Sequence, residues 1–437
     1  MSQKIKRQNI GGFIFGFILL VIISLIILIW GISTYDGAEM PEKTEITETE
    51  ELDQEEEQMD DSSETEKSEE NEIDLENTEN VTEETSVGRR MYKQLNNEEK
   101  KIYEVLQQTL ANGQLECKIE DVKCSRDEIS DVVNRSFFAV YFDYPEYFWL
   151  NGGYSIQTRY NVNSITLKYK VATYDYWQYV FNKKEYIDAV NSKAEEIAAE
   201  AIKFDTTYER VKYVHDYLVK NAVYDYVALE ENNKSVQKAS SQKSHTVYGC
   251  LVDQLSVCDG YAKSFQMIMN LLGIEAEFVI GDAGGPHGWN YIRLDGEDYW
   301  MDVTWDDANL RDESGNLMYP DGVEYAYFCI TSDELGVTHT PSTDYFMIPE
   351  CDSTEYSFFY KEDSYIDIYD FESFSRAYEN QKDEQIVSVK FASNDEMNKA
   401  VEELIGKNKY YEIPELEDGS FRYVADERHS ILSIYNE

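Results

Sequence analysis

Cys258, His287 and Asp302 are three residues whose types and order suit acyl transfer through a thioester. In such chemistry a cysteine thiolate attacks a carbonyl, a histidine takes and returns the proton, and a carboxylate holds the imidazole in one tautomer. Each residue stands in a distinctive context: Ser256-Val257-Cys258-Asp259-Gly260-Tyr261-Ala262, Pro286-His287-Gly288-Trp289-Asn290, and Met301-Asp302-Val303-Thr304-Trp305-Asp306. Alone, Cys258 would read as a small buried hydrophobe, the commonest fate of a lone cysteine. Three residues in these contexts weigh against that. A zinc site drawn from Cys250, Cys258, His245 and His287 lacks the C-x-x-C or H-x-x-x-H spacing such sites show. No metal or other cofactor is implied.

Two elements must bring the three together. After Cys258, the apolar residues Phe265, Ile268, Met269 and Leu272 fall at i, i+3, i+4 and i+7, one face of a helix closed by Gly273. Cys258 then sits at or just before the first turn, where free amides and the helix dipole favour a thiolate. Trp289 to Leu294 and Asp298 to Val303 read as strands around an Asp295-Gly296 hairpin turn. A two-residue turn sets His287 opposite Thr304 and diagonal to Asp302, on one sheet face; one extra residue would separate them. Trp289 shares that face and would shield the pair from water. For the oxyanion, the Cys258 amide is one expected donor, with the Tyr248 and Gln254 side chains as candidates for the second. His215 follows the helical pattern of Val211, Val214 and Leu218 and is expected to be a satisfied core residue. His245, His339 and His429 carry no motif, and an ordinary structural role is expected for each.

These residues resemble the transglutaminase-like superfamily. The run Val247-Tyr248-Gly249-Cys250-Leu251 through Val257-Cys258-Asp259-Gly260-Tyr261-Ala262, then Leu271-Leu272-Gly273-Ile274, looks like its nucleophile helix. Gly288-Trp289-Asn290 and Asp302-Val303-Thr304-Trp305-Asp306 look like its histidine and aspartate strands. Gly288 replaces the small residue, such as Ala, of many relatives. The upstream Asp143-Tyr144-Pro145-Glu146-Tyr147-Phe148-Trp149 is similar to a segment preceding this core in secreted bacterial members. The resemblance covers roughly residues 205–345 and implies an α+β fold with a papain-like core, a nucleophile helix packed on an antiparallel sheet.

The remaining chain suggests where the chemistry happens. Gly11 to Ile32 holds no charge over 22 residues, enough for a helix to cross a ~30 Å hydrocarbon layer. Lys4, Lys6 and Arg7 precede it, so residues 1–10 are expected in the cytoplasm, 11–32 in the membrane as a single-pass anchor, and the rest outside. A cleaved signal peptide is the alternative, but the run is long and lacks an A-x-A site. Thr34 to Val87 contains 23 Asp and Glu against Lys43 and Lys67. Such a segment cannot bury enough apolar surface to fold, so residues 33–88 read as an acidic disordered stalk. It supplies −21 of the net −47, and the acidic excess elsewhere argues against nucleic-acid binding.

Residues 89–200 mix helix (Glu98 to Leu110, and from Lys183) with strand (Phe137 to Phe142, Ser164 to Lys170), an N-terminal α+β region. The catalytic core is assigned to 201–345. Residues 346–437 form a smaller α+β appendage with a strand (Ile386 to Phe391), a helix (Asp395 to Ile405) and two later strands. Six cysteines in an exported chain allow disulfides, with Cys117 and Cys124 the nearest pair, while Cys250 should stay reduced. The expected substrate is a protein, a peptide or a peptidoglycan peptide. Whether water or an amine resolves the acyl-enzyme is open, and a surface scaffold without turnover is the alternative.

Overall fold

The computed structural model describes residues 46–48, 89–231, 237–307, 322–417 and 419–436. The apolar stretch 11–32 and nearly all of the acidic stretch 33–88 lie outside them. Among the described residues no helix is long and apolar enough to cross a membrane. Ile46–Glu48 is a short strand, so at these three residues the acidic segment departs from the expected disorder.

Helix α1 (Asn97–Ala111) begins at a reciprocal cap. The Asn96 side chain accepts from the Glu98 and Glu99 amides, and the Glu99 carboxylate accepts from the Asn96 amide. Its buried face, Ile102, Tyr103, Leu106 and Leu110, packs on α2 (Ile129–Asp143). The strand expected at Phe137 to Phe142 is therefore a correction: those residues are the last turns of α2. An unbroken apolar run fits a strand or a helix covered on several sides. Here α1 covers one side, Tyr154 meets the Phe137 ring at 4.7 Å, and Phe278 meets Phe142 at 5.7 Å. An antiparallel sheet of β1 (Glu116–Val122), β3 (Ile165–Thr173) and β2 (Leu150–Tyr160) follows, in that spatial order, with Ile46–Glu48 paired in parallel on the outer edge of β2. In β3 the buried residues Ile165, Leu167, Tyr169 and Val171 alternate with less buried neighbours, the period of a half-buried strand.

Helices α3 (Lys183–Ala201) and α4 (Thr207–Asn221) pack on each other and on α5 (Cys258–Leu271), which packs against a second antiparallel sheet. Its order is Thr340–Pro341, β4 (Glu275–Asp282), β5 (Pro286–Leu294) and β6 (Glu297–Met301). Helix α5 lies across β4 and β5 and buries Tyr261, Phe265, Ile268 and Met269, ending before Gly273 at φ +74°. Helix α3 packs on α5, which ties the region before the expected boundary at residue 200 to the core after it. One apolar cluster takes residues from Met91 to Phe359 and also Ile431, and a second, with Trp289, Trp300 and Tyr327, lies on the hairpin.

Two buried carboxylates fasten the segment just after the acidic stretch to that core. Asp143 accepts from the Met91 and Tyr92 amides and from the Tyr103 hydroxyl. Glu277 on β4 accepts from the Arg90 amide at 3.0 Å and from Gln266 of α5 at 3.3 Å. Burial pushes Glu277 well above the usual carboxylate range and Asp143 up to about 7.

At the C-terminal end, α6 (Phe371–Asn380) and α7 (Asn394–Val401) cover a sheet of β7 (Ile386–Phe391), β9 (Ile431–Asn436) and β8 (Phe421–Asp426), around a separate cluster that includes Phe374, Val389, Met397 and Ile434. The helix expected over Asp395 to Ile405 is α7 continued by a π-helical turn, Glu402–Gly406. All six cysteines are free thiols, so the Cys117–Cys124 pairing is not formed. Cys250 is buried and its thiol is pushed up to about 11 by that burial.

Candidate active site

Val257 is extended and Cys258 is the first residue of α5, half-buried at the helix start. The turn is held from behind by the Val257 amide, which donates to the Ser244 carbonyl at 2.9 Å. The fit explains Gly260: a Cβ there would lie 2.2 Å from Ser256 Oγ and 2.7 Å from the Ser244 carbonyl oxygen. Beside the cysteine, the Asp259 carboxylate accepts from His245 Nδ1 at 2.9 Å and stands 3.6 Å from Lys263 Nζ. Burial opposes its charge, but His245 and Lys263 hold it below its ordinary range.

The β5–β6 hairpin has the two-residue turn expected from the sequence: Leu294 pairs with Glu297, and Asp295 and Gly296 both have positive φ. That register carries His287 and Asp302 to one face, where His287 Nε2 lies 2.7 Å from Asp302 Oδ2. The second imidazole nitrogen, Nδ1, is not used by Asp302, and the Cys258 thiol lies near enough to the ring to favour its charged form. Burial disfavours the imidazolium, yet the charge of Asp302 and the hydrogen bonds to Asp302 and Cys258 outweigh it, and His287 is raised to about 10. Asp302 moves the opposite way: burial raises it, but His287 and then His339 bring it well below the usual carboxylate range. Its other oxygen, Oδ1, accepts from the Thr304 and Trp305 amides at 2.9 and 3.2 Å.

His339 is the residue that motif reading missed. Its Nε2 lies 3.1 Å from Asp302 Oδ2, the same oxygen that serves His287. The ligand-type atoms of His287, Asp302 and His339 lie within 4.8 Å of one another. Tetrahedral zinc ligands stand roughly 3.3 Å apart, given metal–ligand bonds of about 2.0–2.1 Å. The 2.7 Å His287–Asp302 separation is that of a hydrogen bond.

Trp289 is fully buried, and its ring lies 5.7 Å from His287 at 25°, where it keeps water from the ion pair. Trp305 flanks His287 from another side at 5.8 Å. Tyr224, unmarked by any motif, lies near enough to Cys258, Asp259 and Asp302 that, after burial, their charges raise its phenol above its ordinary value. Tyr248 and Gln254 are the two side chains considered for the oxyanion. Tyr248 stacks on Tyr186 at 4.5 Å with Lys243 over its ring, and Gln254 is an exposed residue in a left-handed turn whose carbonyl accepts from Val223. His215 is a buried, satisfied residue: Nε2 meets Asp306 at 3.2 Å and Nδ1 meets Asp216 at 3.0 Å. Through Asp306, which also accepts from the Tyr327 amide, it braces the loop after Asp302.

Residues 192–305 match the model of the transglutaminase-like superfamily. Among curated proteins, the human Kyphoscoliosis peptidase is 26% identical over 113 residues, which are 23% of this chain and 16% of that protein's length. Two solved structures are similar in part. A crystal structure described as a TGase shares 17% identity over 45% of this chain and 53% of its own, at a TM-score of 0.26. A candidate cysteine protease from Cytophaga hutchinsonii shares 12% over 36% and 63%, at 0.21. The family match thus spans α5 and the hairpin that carry Cys258, His287 and Asp302, and through residues 192–305 this chain is similar to the transglutaminase-like superfamily.

Proposed function

We propose that the chain is a thiol enzyme acting on amide bonds of a protein, peptide or peptidoglycan peptide through Cys258, His287 and Asp302. The observation that carries this reading is the His287–Asp302 hydrogen bond, which leaves the second imidazole nitrogen unused by Asp302, with the Cys258 thiol near the ring. His287 Nδ1 takes the thiol proton, and the thiolate attacks the amide carbon. The carbonyl oxygen becomes an oxyanion beside the amides of the first turn of α5. The imidazolium then gives its proton to the leaving amine as the C–N bond breaks, leaving a thioester on Cys258. Water or a second amine, deprotonated by His287, breaks the C–S bond and restores the thiol. The peptidase and TGase relatives support acyl transfer as the class. The choice between hydrolysis and transamidation is the choice of that last nucleophile.

Mass spectrometry after brief exposure to a thiol-reactive probe tests the site. Cys258 is expected to label first of the six cysteines. Labelling no faster than at Cys117 or Cys124 would favour a binding scaffold without turnover.

For location, we propose a single-pass anchor at residues 11–32 with the catalytic part outside, supported by Lys4, Lys6 and Arg7 before the apolar run. Protease added to intact cells should digest residues 89–437 and spare the N-terminus. A mature protein starting near residue 35 would overturn the anchor.

A further inference from the structure

We propose that His339 is a positioning residue of this site, whose imidazole holds Asp302 aimed at His287. The inference rests on the thiol-enzyme reading above and goes beyond it to a fourth residue.

Two hydrogen bonds to Asp302 Oδ2, from His287 at 2.7 Å and His339 at 3.1 Å, define the geometry. The carboxylate is acceptor-only when ionised, so His339 must carry its proton on Nε2. On its other side, Nδ1 lies 2.7 Å from the Thr338 hydroxyl, which also reaches the Leu335 carbonyl at 3.5 Å. The Tyr327 hydroxyl lies 3.1 Å from Thr338 Oγ1 and completes the chain. A run of hydroxyl to hydroxyl to imidazole to carboxylate holds both the imidazole of His339 and the direction of Asp302.

The backbone is built to deliver this imidazole. His339 follows the one-turn helix Ser332–Leu335 and its amide donates to the Leu335 carbonyl at 2.9 Å. The next two residues, Thr340–Pro341, pair with Asp282 and Gly281 at the edge of β4. That edge comes close only because residue 281 is glycine: a Cβ there would lie 2.2 Å from the Thr340 carbonyl oxygen and 2.6 Å from the Trp289 ring. The imidazole itself is packed by Trp305 at 4.6 Å, Trp289 at 4.9 Å and Tyr327 at 5.2 Å. The titratable groups facing it are Asp302, His287 and the Tyr327 phenol. A buried histidine needed only for packing would not have to share one carboxylate oxygen with the residue that serves the thiol.

The test is Cys258 alkylation across pH in the full chain, comparing wild type with His339→Gln, His339→Leu and Thr338→Val. Gln keeps an N–H donor near the Nε2 position; Leu keeps bulk but has no donor. We expect Leu to slow alkylation near neutral pH about ten- to a hundredfold and to move the profile toward that of a free thiol, with Gln within a few-fold of wild type. Thr338→Val, which removes only the hydroxyl that holds the far side of the imidazole, should slow it a few-fold and serves if the Leu variant does not fold. Equal rates in Gln and Leu, a wild-type profile in Leu, or an unaltered rate in Thr338→Val would overturn the proposal. Wild-type Cys258 behaving as a free thiol would instead defeat the enzyme reading, and this proposal with it.

Discussion

Cys258→Ala is expected to lose amide cleavage and amine incorporation by roughly four orders of magnitude or more, the scale on which removing a nucleophile acts. The fold should survive, because the change removes one sulfur from a half-buried position at the start of α5. The apolar face that holds the helix, from Tyr261 to Met269, is untouched. Far-ultraviolet circular dichroism should match wild type. Turnover persisting in this variant, with either water or an amine as acceptor, would remove the thioester from the mechanism.

Asp302→Asn should be nearly as informative and somewhat milder. In serine proteases the same change costs about four orders of magnitude. A thiol needs less help from its base, so we expect roughly a ten- to a thousandfold loss of turnover. Without the carboxylate charge, burial dominates at His287 and disfavours the imidazolium that the wild-type site keeps up to about pH 10. Cys258 alkylation near neutral pH should slow accordingly. Stability carries a second signature. Asp302 is depressed in the folded chain, so its contribution is present above about pH 4, the unfolded carboxylate value, and is lost as acid protonates it. His287 is raised, so its contribution is complete below about pH 6.5 and is lost as pH rises through about 10. The stability gap between wild type and Asp302→Asn, read by denaturant unfolding, should peak between about pH 4 and 6.5 and fade toward pH 10. Alkylation profiles identical in wild type, Asp302→Asn and His287→Ala would mean that no activated pair exists.

The hairpin shows why part of the site was legible in sequence. Asp295-Gly296 is a strong two-residue turn signal, and strand parity then put His287 and Asp302 on one face without any knowledge of the fold. The nucleophile helix was legible for the same kind of reason, a 3.6-residue period ending at a glycine. His339 had no such signal. It reaches Asp302 because a two-residue strand pairs at an edge of β4, and long-range pairing of so short a segment leaves no periodic trace. Tyr224 is similar: its place beside Cys258 follows from the two-residue pairing of Val223–Tyr224 with Leu255–Ser256. At Phe137 to Phe142, aromatic composition suggested a strand, and cover on several sides made it a helix.

The apolar cluster that draws on residues from Met91 to Ile431 bears on how portable this region is. The family-matched stretch, 192–305, excludes Arg90, whose amide bonds Glu277, and His339, whose imidazole bonds Asp302. A fragment trimmed to those limits would bare the apolar sides of α3, α5 and the β4–β5 strands and lose a donor to the catalytic carboxylate. The flanks thus act as a chassis, and the Arg90 backbone amide is one hydrogen-bonded carboxylate, Glu277, away from helix α5 through Gln266. Variation in the flanks is therefore a route by which the setting of Cys258, His287 and Asp302 could change with those three residues kept.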